Sequence, residues 1–117
     1  MNDQNRNHDT LKKMVEYCKD AESFTERCGY DFENYKSDTM FQYACNMCIM
    51  QIGELVHRLS DEFIEKNPQI PWHAIRAMRN LYAHEYEKID LKIVWETLTK
   101  RIPELRKQLE NMMDTAL

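Results

Sequence analysis

The chain has 117 residues, of which 43% are hydrophobic and 31% charged, and its formal net charge is −4. This composition excludes a disordered chain and a membrane protein, and it fits a single domain over residues 1–117 with its own core. The polar start MNDQNRNHD contains no secretory signal, and no apolar run exceeds Met47–Met50. We therefore expect a cytoplasmic protein without a membrane segment, with residues 1–9 as a flexible N-terminus.

The first part of the chain is predicted to be helical, because two glycines and three prolines provide few of the turns that sheets need. Thr10 is predicted to cap a first helix, which Gly29 ends. Residues 30–37 are predicted to be a connection. Ser37 or Asp38 then caps a longer, central helix.

The second half continues the helical pattern. A third helix is predicted from about Pro71 to the mid-80s, and Asp90 is predicted to cap a fourth, which Pro103 kinks or restarts. Short connections between these helices predict an all-α fold, an antiparallel bundle of four to five helices. Apolar positions on the first two helices exceed what such a bundle buries, which predicts a homodimer. These positions include Met14, Met40, Met47 and Leu55.

Cys45 and Cys48 form a C-x-x-C pair, a spacing that can hold zinc or perform redox chemistry. Both cysteines lie mid-helix on the apolar face, and no second ligand pair accompanies them. We therefore interpret them as small buried hydrophobes and expect neither a metal nor a cofactor.

The segment RNLYAHEY, residues 79–86, carries the candidate chemistry. An α-helix turns about 100° per residue, so one side of the predicted third helix is polar and faces away from the apolar side. That polar side holds Arg76, Arg79, Asn80, Ala83, His84 and, if the helix continues, Tyr86.

These residue types suit a phosphodiester. Arginine donates to phosphate oxygens and stabilises developing negative charge, and histidine transfers protons near neutral pH. Without a carboxylate cluster for magnesium, such cleavage would be metal-independent and would require the ribose 2′-hydroxyl of RNA. By spacing alone, the same pattern also fits a solvated polar helix face.

The string R-x4-H-x-Y, formed by Arg79, His84 and Tyr86, resembles the signature of the HepT-like ribonuclease toxins of the HEPN superfamily. Further landmarks of that family occur in order along the chain. They are Ile52-Gly53-Glu54, Ile70-Pro71-Trp72, Met78-Arg79-Asn80, Asp90, Val94-Trp95 and Pro103-x-Leu105.

The resemblance implies a dimeric helical bundle whose motif lines a cleft at the subunit interface. It implies an endoribonuclease that is the toxin of a type II toxin–antitoxin pair, or a type VII-like pair when AMP attachment neutralises it. The implied partner is an MNT-type nucleotidyltransferase antitoxin that modifies Tyr86. Arg79 and His84 would be catalytic, with Asn80, Glu54 and Arg76 supporting. Arg76 departs from the family pattern, in which a small or apolar residue is usual.

Two hypotheses follow. The first is a metal-independent endoribonuclease, for which residues 72–101 supply local attraction to RNA through six basic and four acidic side chains, a net +2. The alternative is a non-catalytic helical module whose motif face binds a nucleotidyltransferase partner or a nucleotide.

Overall fold

The computed structural model describes residues 2–116, apart from the side chains of Tyr86, Thr115 and Ala116. The fold is all-α, as predicted, and no strand occurs within the described range. Six helices follow in order: α1 Asp3–Arg27, α2 Phe32–Ser37, α3 Thr39–Val56, α4 Asp61–Lys66, α5 Trp72–His84 and α6. The last is continuous through Leu91–Glu96, a π-helical segment Thr97–Arg101 and Ile102–Ala116, and a short 3-10 turn, Tyr86–Lys88, follows α5.

The start of α1 differs from the prediction. Asn2 is the cap, and its side chain accepts a hydrogen bond from the Asn5 N–H at 2.8 Å. The predicted start at Thr10 is wrong, because this residue lies inside the helix and its hydroxyl donates to the Arg6 carbonyl. Residues 3–9, expected to precede the first helix, form its first turns. Asn7 fixes them by exchanging two hydrogen bonds with Ser60, at 3.0 and 3.1 Å.

The region between α1 and α3 contains a helix where a connection was predicted. Gly29 has a φ of +68°, so α1 ends where predicted. Asp31 then caps α2 by accepting from the Glu33 N–H. The Tyr35 side chain is buried, and its ring lies 5.2 Å from that of Trp95. A local cap and a buried aromatic contact thus stabilise a helix that is too short to show a clear hydrophobic period.

Helix α3 is central, as predicted, with Asp38 as its cap, and it packs against α1 on one side and α5 on the other. Met14 and Leu55, predicted to be surplus to the bundle, are buried in the core at 0% and 4% exposure. Met40 and Met47 are exposed, together with Tyr43. These three residues recur at i, i+3 and i+7, and we call them the α3 stripe.

Pro103 causes a local widening of α6 instead of a break. Proline has no N–H, and its ring clashes with the carbonyl four residues earlier in a regular helix. The preceding turn is π-helical, and the Ile102 N–H donates to the Thr97 carbonyl. The helix therefore continues past the proline, and Ile102, Leu105 and Leu109 complete the core against α1. None of the helices in the described range is long and apolar enough to cross a membrane.

Candidate active site

Helix α5 carries the predicted motif, and Trp72 fixes where it begins. The Trp72 indole N–H donates to the Asn67 carbonyl at 2.9 Å, and its ring lies 6.1 Å from that of Phe63. Since α4 follows the end of α3, this contact places the start of α5 beside that end. Helix α5 then packs extensively against α3.

Gly53 sets the distance between α3 and α5. A Cβ atom at this position would lie 2.6 Å from the Arg79 Cβ and 2.9 Å from the Ile75 carbonyl oxygen. Only glycine allows the two backbones to approach this closely. Sequence reasoning gave Gly53 no role, although a glycine inside a predicted apolar helix face is itself a signal of close approach.

The close approach brings Arg79 to a carboxylate on α3. Its Nε lies 2.9 Å from Glu54 Oε2, and its Nη1 donates to Asn80 Oδ1 at 3.2 Å. The side chains of Arg79 and Glu54 are 34% and 50% exposed, so the pair adds little to stability. Its effect is orientation, because contacts at Nε and Nη1 fix the guanidinium, whereas Nη2 forms no ion pair or hydrogen bond with the described residues.

His84 is the last residue of α5 and is exposed beside the exposed Ala83. An open cleft of about 340 Å³ adjoins it, lined by Ala83, His84, Glu85, Glu87 and Lys88. Helical geometry separates Arg79 from His84 by about 140° around the axis and about 7.5 Å along it. Within one chain the two side chains therefore leave the helix in different directions.

The remaining predicted site residues have different surroundings. Asn80 is exposed, whereas Arg76 is half-buried, and its Nε has no hydrogen-bond partner. Helix α5 ends at His84, so the helical register that would bring Tyr86 to the side of Arg79 does not continue. The Tyr86 side chain lies outside the described residues, and its predicted role stays a prediction.

The opposite side of α5 is buried, as predicted: Ile75 and Tyr82 lie in the core, and Met78 packs partly against it. Burial also raises the pKa of the Tyr82 hydroxyl.

The four cysteines are free and buried, which confirms the interpretation of Cys45 and Cys48 as small buried hydrophobes. Burial raises the pKa of Cys18, Cys45 and Cys48 to about 12 in each case. Thiols with such pKa values are not nucleophiles at neutral pH. Across residues 2–116, no group of three His, Cys, Asp or Glu side chains is placed to hold a metal ion.

The described residues form an all-helical fold that presents an arginine and a histidine from one helix. Comparison with known proteins gives the family. Residues 14–112 match the family described as "Ribonuclease HepT-like". The chain belongs to this HepT-like family.

Individual relatives agree with this assignment. The chain is 38% identical over 104 residues to "Putative RNase TTE0752" of Caldanaerobacter subterraneus subsp. tengcongensis, covering 88% of this chain and 90% of that protein. It is 33% identical over 103 residues to "Putative RNase MJ1216" of Methanocaldococcus jannaschii, covering 88% and 84%. It is 31% identical over 109 residues to "Probable ribonuclease HepT" of Thermococcus cleftensis, covering 92% and 96%. No solved structure matches the chain significantly.

Proposed function

We propose that this chain is a metal-independent endoribonuclease and the toxin of a toxin–antitoxin pair. The observation that carries the proposal is the placement of Arg79. Gly53 lets α5 approach α3 closely, and Glu54 holds the Arg79 guanidinium at the surface of α5, five residues before an exposed His84. The names of the relatives, which include an RNase and a ribonuclease HepT, support the choice of RNA as the substrate.

The chemistry uses the two side chains in different roles. Arg79 donates to the non-bridging oxygens of the scissile phosphate and stabilises the charge that builds on them. His84 accepts the proton of the ribose 2′-hydroxyl as its oxygen attacks phosphorus. The bond to the 5′-oxygen breaks, and a protonated histidine donates to that leaving oxygen. The products are a 2′,3′-cyclic phosphate and a 5′-hydroxyl. Glu54 and Asn80 position the arginine.

A homodimer completes the proposed site. Arg79 and His84 leave α5 about 140° apart, so a groove between two copies can present both types of side chain to one phosphate. The α3 stripe is an exposed apolar surface on the helix that also carries Glu54, with Met40 79% and Met47 52% exposed. A second copy that covers this stripe would lie next to the site.

Control by the antitoxin is the final part of the proposal. An MNT-type nucleotidyltransferase partner attaches AMP to the Tyr86 hydroxyl, with release of pyrophosphate from ATP. The added phosphate carries negative charge to the edge of the site, where it competes with RNA for arginine donors. Mass spectrometry after co-expression should show AMP on the peptide that holds Tyr86, and Tyr86→Phe should remain toxic beside the partner. Full neutralisation of Tyr86→Phe would mean control by binding alone.

The decisive test of the activity is RNA cleavage by purified protein in excess EDTA. The parent should produce 2′,3′-cyclic phosphate ends, and Arg79→Ala and His84→Ala should each lose about 10²–10⁴-fold in rate. His8→Ala, which removes a histidine on α1, is the matched control and should cleave like the parent. Equal cleavage by all four proteins would assign the activity to a contaminant. Absence of cleavage, with binding of the nucleotidyltransferase retained, would favour the non-catalytic module.

Light scattering tests the dimer separately. The parent should have twice the mass of one chain at micromolar concentration, and Met47→Glu should be monomeric because it places a charge in the α3 stripe. A parent that is monomeric, yet active, would remove the two-copy groove from the mechanism.

A further inference from the structure

Helix α5 carries two arginines with different surroundings. Its sequence, WHAIRAMRNLYAH, contains no acidic residue, so the helix provides no carboxylate of its own. Glu54 on α3 pairs with Arg79. Arg76 forms no ion pair and no hydrogen bond with any described residue, and its Nε is buried. The charge of Arg79 is therefore balanced by a carboxylate, whereas the charge of Arg76 is not balanced by any described residue.

A buried donor without an acceptor is unusual in native proteins and unfavourable, more so when the donor belongs to a cation. An ordinary surface arginine avoids this penalty, because water reaches all of its nitrogens. Arg76 is only half-buried, so its Nε is enclosed by the protein while the rest of its guanidinium is accessible from outside. An anion that reaches it gains charge-assisted hydrogen bonds without the cost of ordering a flexible side chain.

The position of Arg76 indicates which anion this is. Arg76 lies three residues before Arg79, about 60° around the helix in the same direction as His84 and about 4.5 Å along the axis in the opposite direction. It therefore lies next to Arg79, within reach of the phosphate adjacent to the one that Arg79 would bind.

We propose that Arg76 is a second phosphate-binding residue, which holds the RNA phosphate adjacent to the one at Arg79. This inference rests on the proposed ribonuclease function. It adds a substrate requirement. An RNA with a second phosphate next to the scissile phosphate would bind better than a dinucleotide whose only phosphate is the scissile one.

Short substrates measure the proposed contact between Arg76 and the second phosphate by itself. The probes are a dinucleoside monophosphate and the same dinucleotide with one extra phosphate at its 5′ or its 3′ end. The parent should cleave one of the extended dinucleotides with a kcat/KM at least about tenfold higher than the plain one. Arg76→Met, which keeps the apolar stem and removes the guanidinium, should cleave all three at the plain rate. Arg76→Lys should recover part of the difference, because it keeps the charge but loses the fork.

Salt dependence gives an independent measurement. Binding of a fluorescent 2′-O-methyl dodecanucleotide, which lacks the attacking hydroxyl, is followed by anisotropy over a range of salt concentrations. For a single strand, each phosphate contact contributes about 0.7 to the slope of log K against log salt. Arg76→Met should lower the slope by about this amount. Arg27→Met, the same change at the end of α1, should leave it unchanged.

The outcomes separate the two proposals. If the parent cleaves and binds RNA but Arg76→Met has the same slope and the same preference for the extra phosphate, the second phosphate site is wrong. If Arg76→Met changes the dimer mass instead, the acceptor belongs to the second copy and the site is also wrong. If the parent neither binds nor cleaves RNA, the proposed function fails and this inference fails with it. Thermal unfolding of Arg76→Met at or above the parent temperature excludes misfolding as the cause of any loss.

Discussion

Replacement of Gly53 by alanine tests whether the close contact between α3 and α5 positions Arg79. The new Cβ would be 2.6 Å from the Arg79 Cβ, whereas optimal carbon–carbon contacts are about 3.5–4.0 Å. The two helices must therefore separate by about 1 Å at this point. Overpacking of this kind costs about 1–3 kcal/mol, and the higher helix propensity of alanine offsets about 1 kcal/mol. The free energy of unfolding should fall by about 0–2 kcal/mol.

The effect on activity should be much larger than the effect on stability. A displacement of about 1 Å moves Arg79 relative to Glu54 and to the substrate, and misplacement of this size costs about 10²-fold in rate. The assays are urea denaturation and RNA cleavage by the folded protein. Gly29→Ala is the matched control, because Gly29 has a φ of +68° and no atom closer than 4.0 Å to an added Cβ.

Gly29→Ala should lose about 1–2 kcal/mol through backbone strain and keep its cleavage rate per folded molecule. The reasoning about Gly53 is refuted if Gly53→Ala cleaves RNA at the parent rate. It is equally refuted if the two alanine variants lose activity in proportion to their losses of stability.

Three further outcomes follow from the described contacts. Glu54→Gln should lower the cleavage rate about tenfold or more, because the ion pair orients Arg79. The free energy of unfolding should not change measurably, because the ion pair is half-exposed, and a large loss of stability would contradict this. Ellman's reagent should modify no cysteine in the native protein at pH 8 and all four after denaturation, since every thiol is buried. Stability should fall as the pH rises from 9 toward 12, because the unfolded chain releases thiol protons that Cys18, Cys45 and Cys48 retain when folded. Each such thiol contributes up to about 1.4 kcal/mol per pH unit, and a flat alkaline profile measured by urea denaturation would refute their burial.

The sequence predicted the long helices well, because their signals are local. Asp38 and Asp90 cap helices as predicted, and Gly29 ends α1. The apolar side of α5 was assigned correctly from the helical period alone. The start of α1 was wrong because Asn2 and Thr10 offer the same capping chemistry, and only the contact between Asn7 and Ser60 distinguishes them.

In the candidate site, too, local features were predicted from the sequence and contacts between helices were not. The residues Arg79, His84 and Asn80 were identified from one helix, since spacing along a helix fixes which side chains lie away from its buried side. The pairing of Arg79 with Glu54 joins two helices 25 positions apart in the chain, and no period in the sequence encodes that contact. The same holds for Arg76. The sequence placed it on the polar side of the helix, but the burial of its Nε without a partner depends on what packs beside it.

Sequence alone determined that this protein is an all-α domain with an arginine and a histidine on the polar side of one helix, because propensity, capping and amphipathic period act within a few residues. Only the tertiary structure decided how that helix approaches its neighbour. Gly53 lets α3 and α5 come within van der Waals contact of their backbones, and this distance selects Glu54 as the partner of Arg79. Packing also decided that Met14 and Leu55 belong to the core while Met40 and Met47 remain exposed, because burial depends on which helices surround a face as well as on its hydrophobicity.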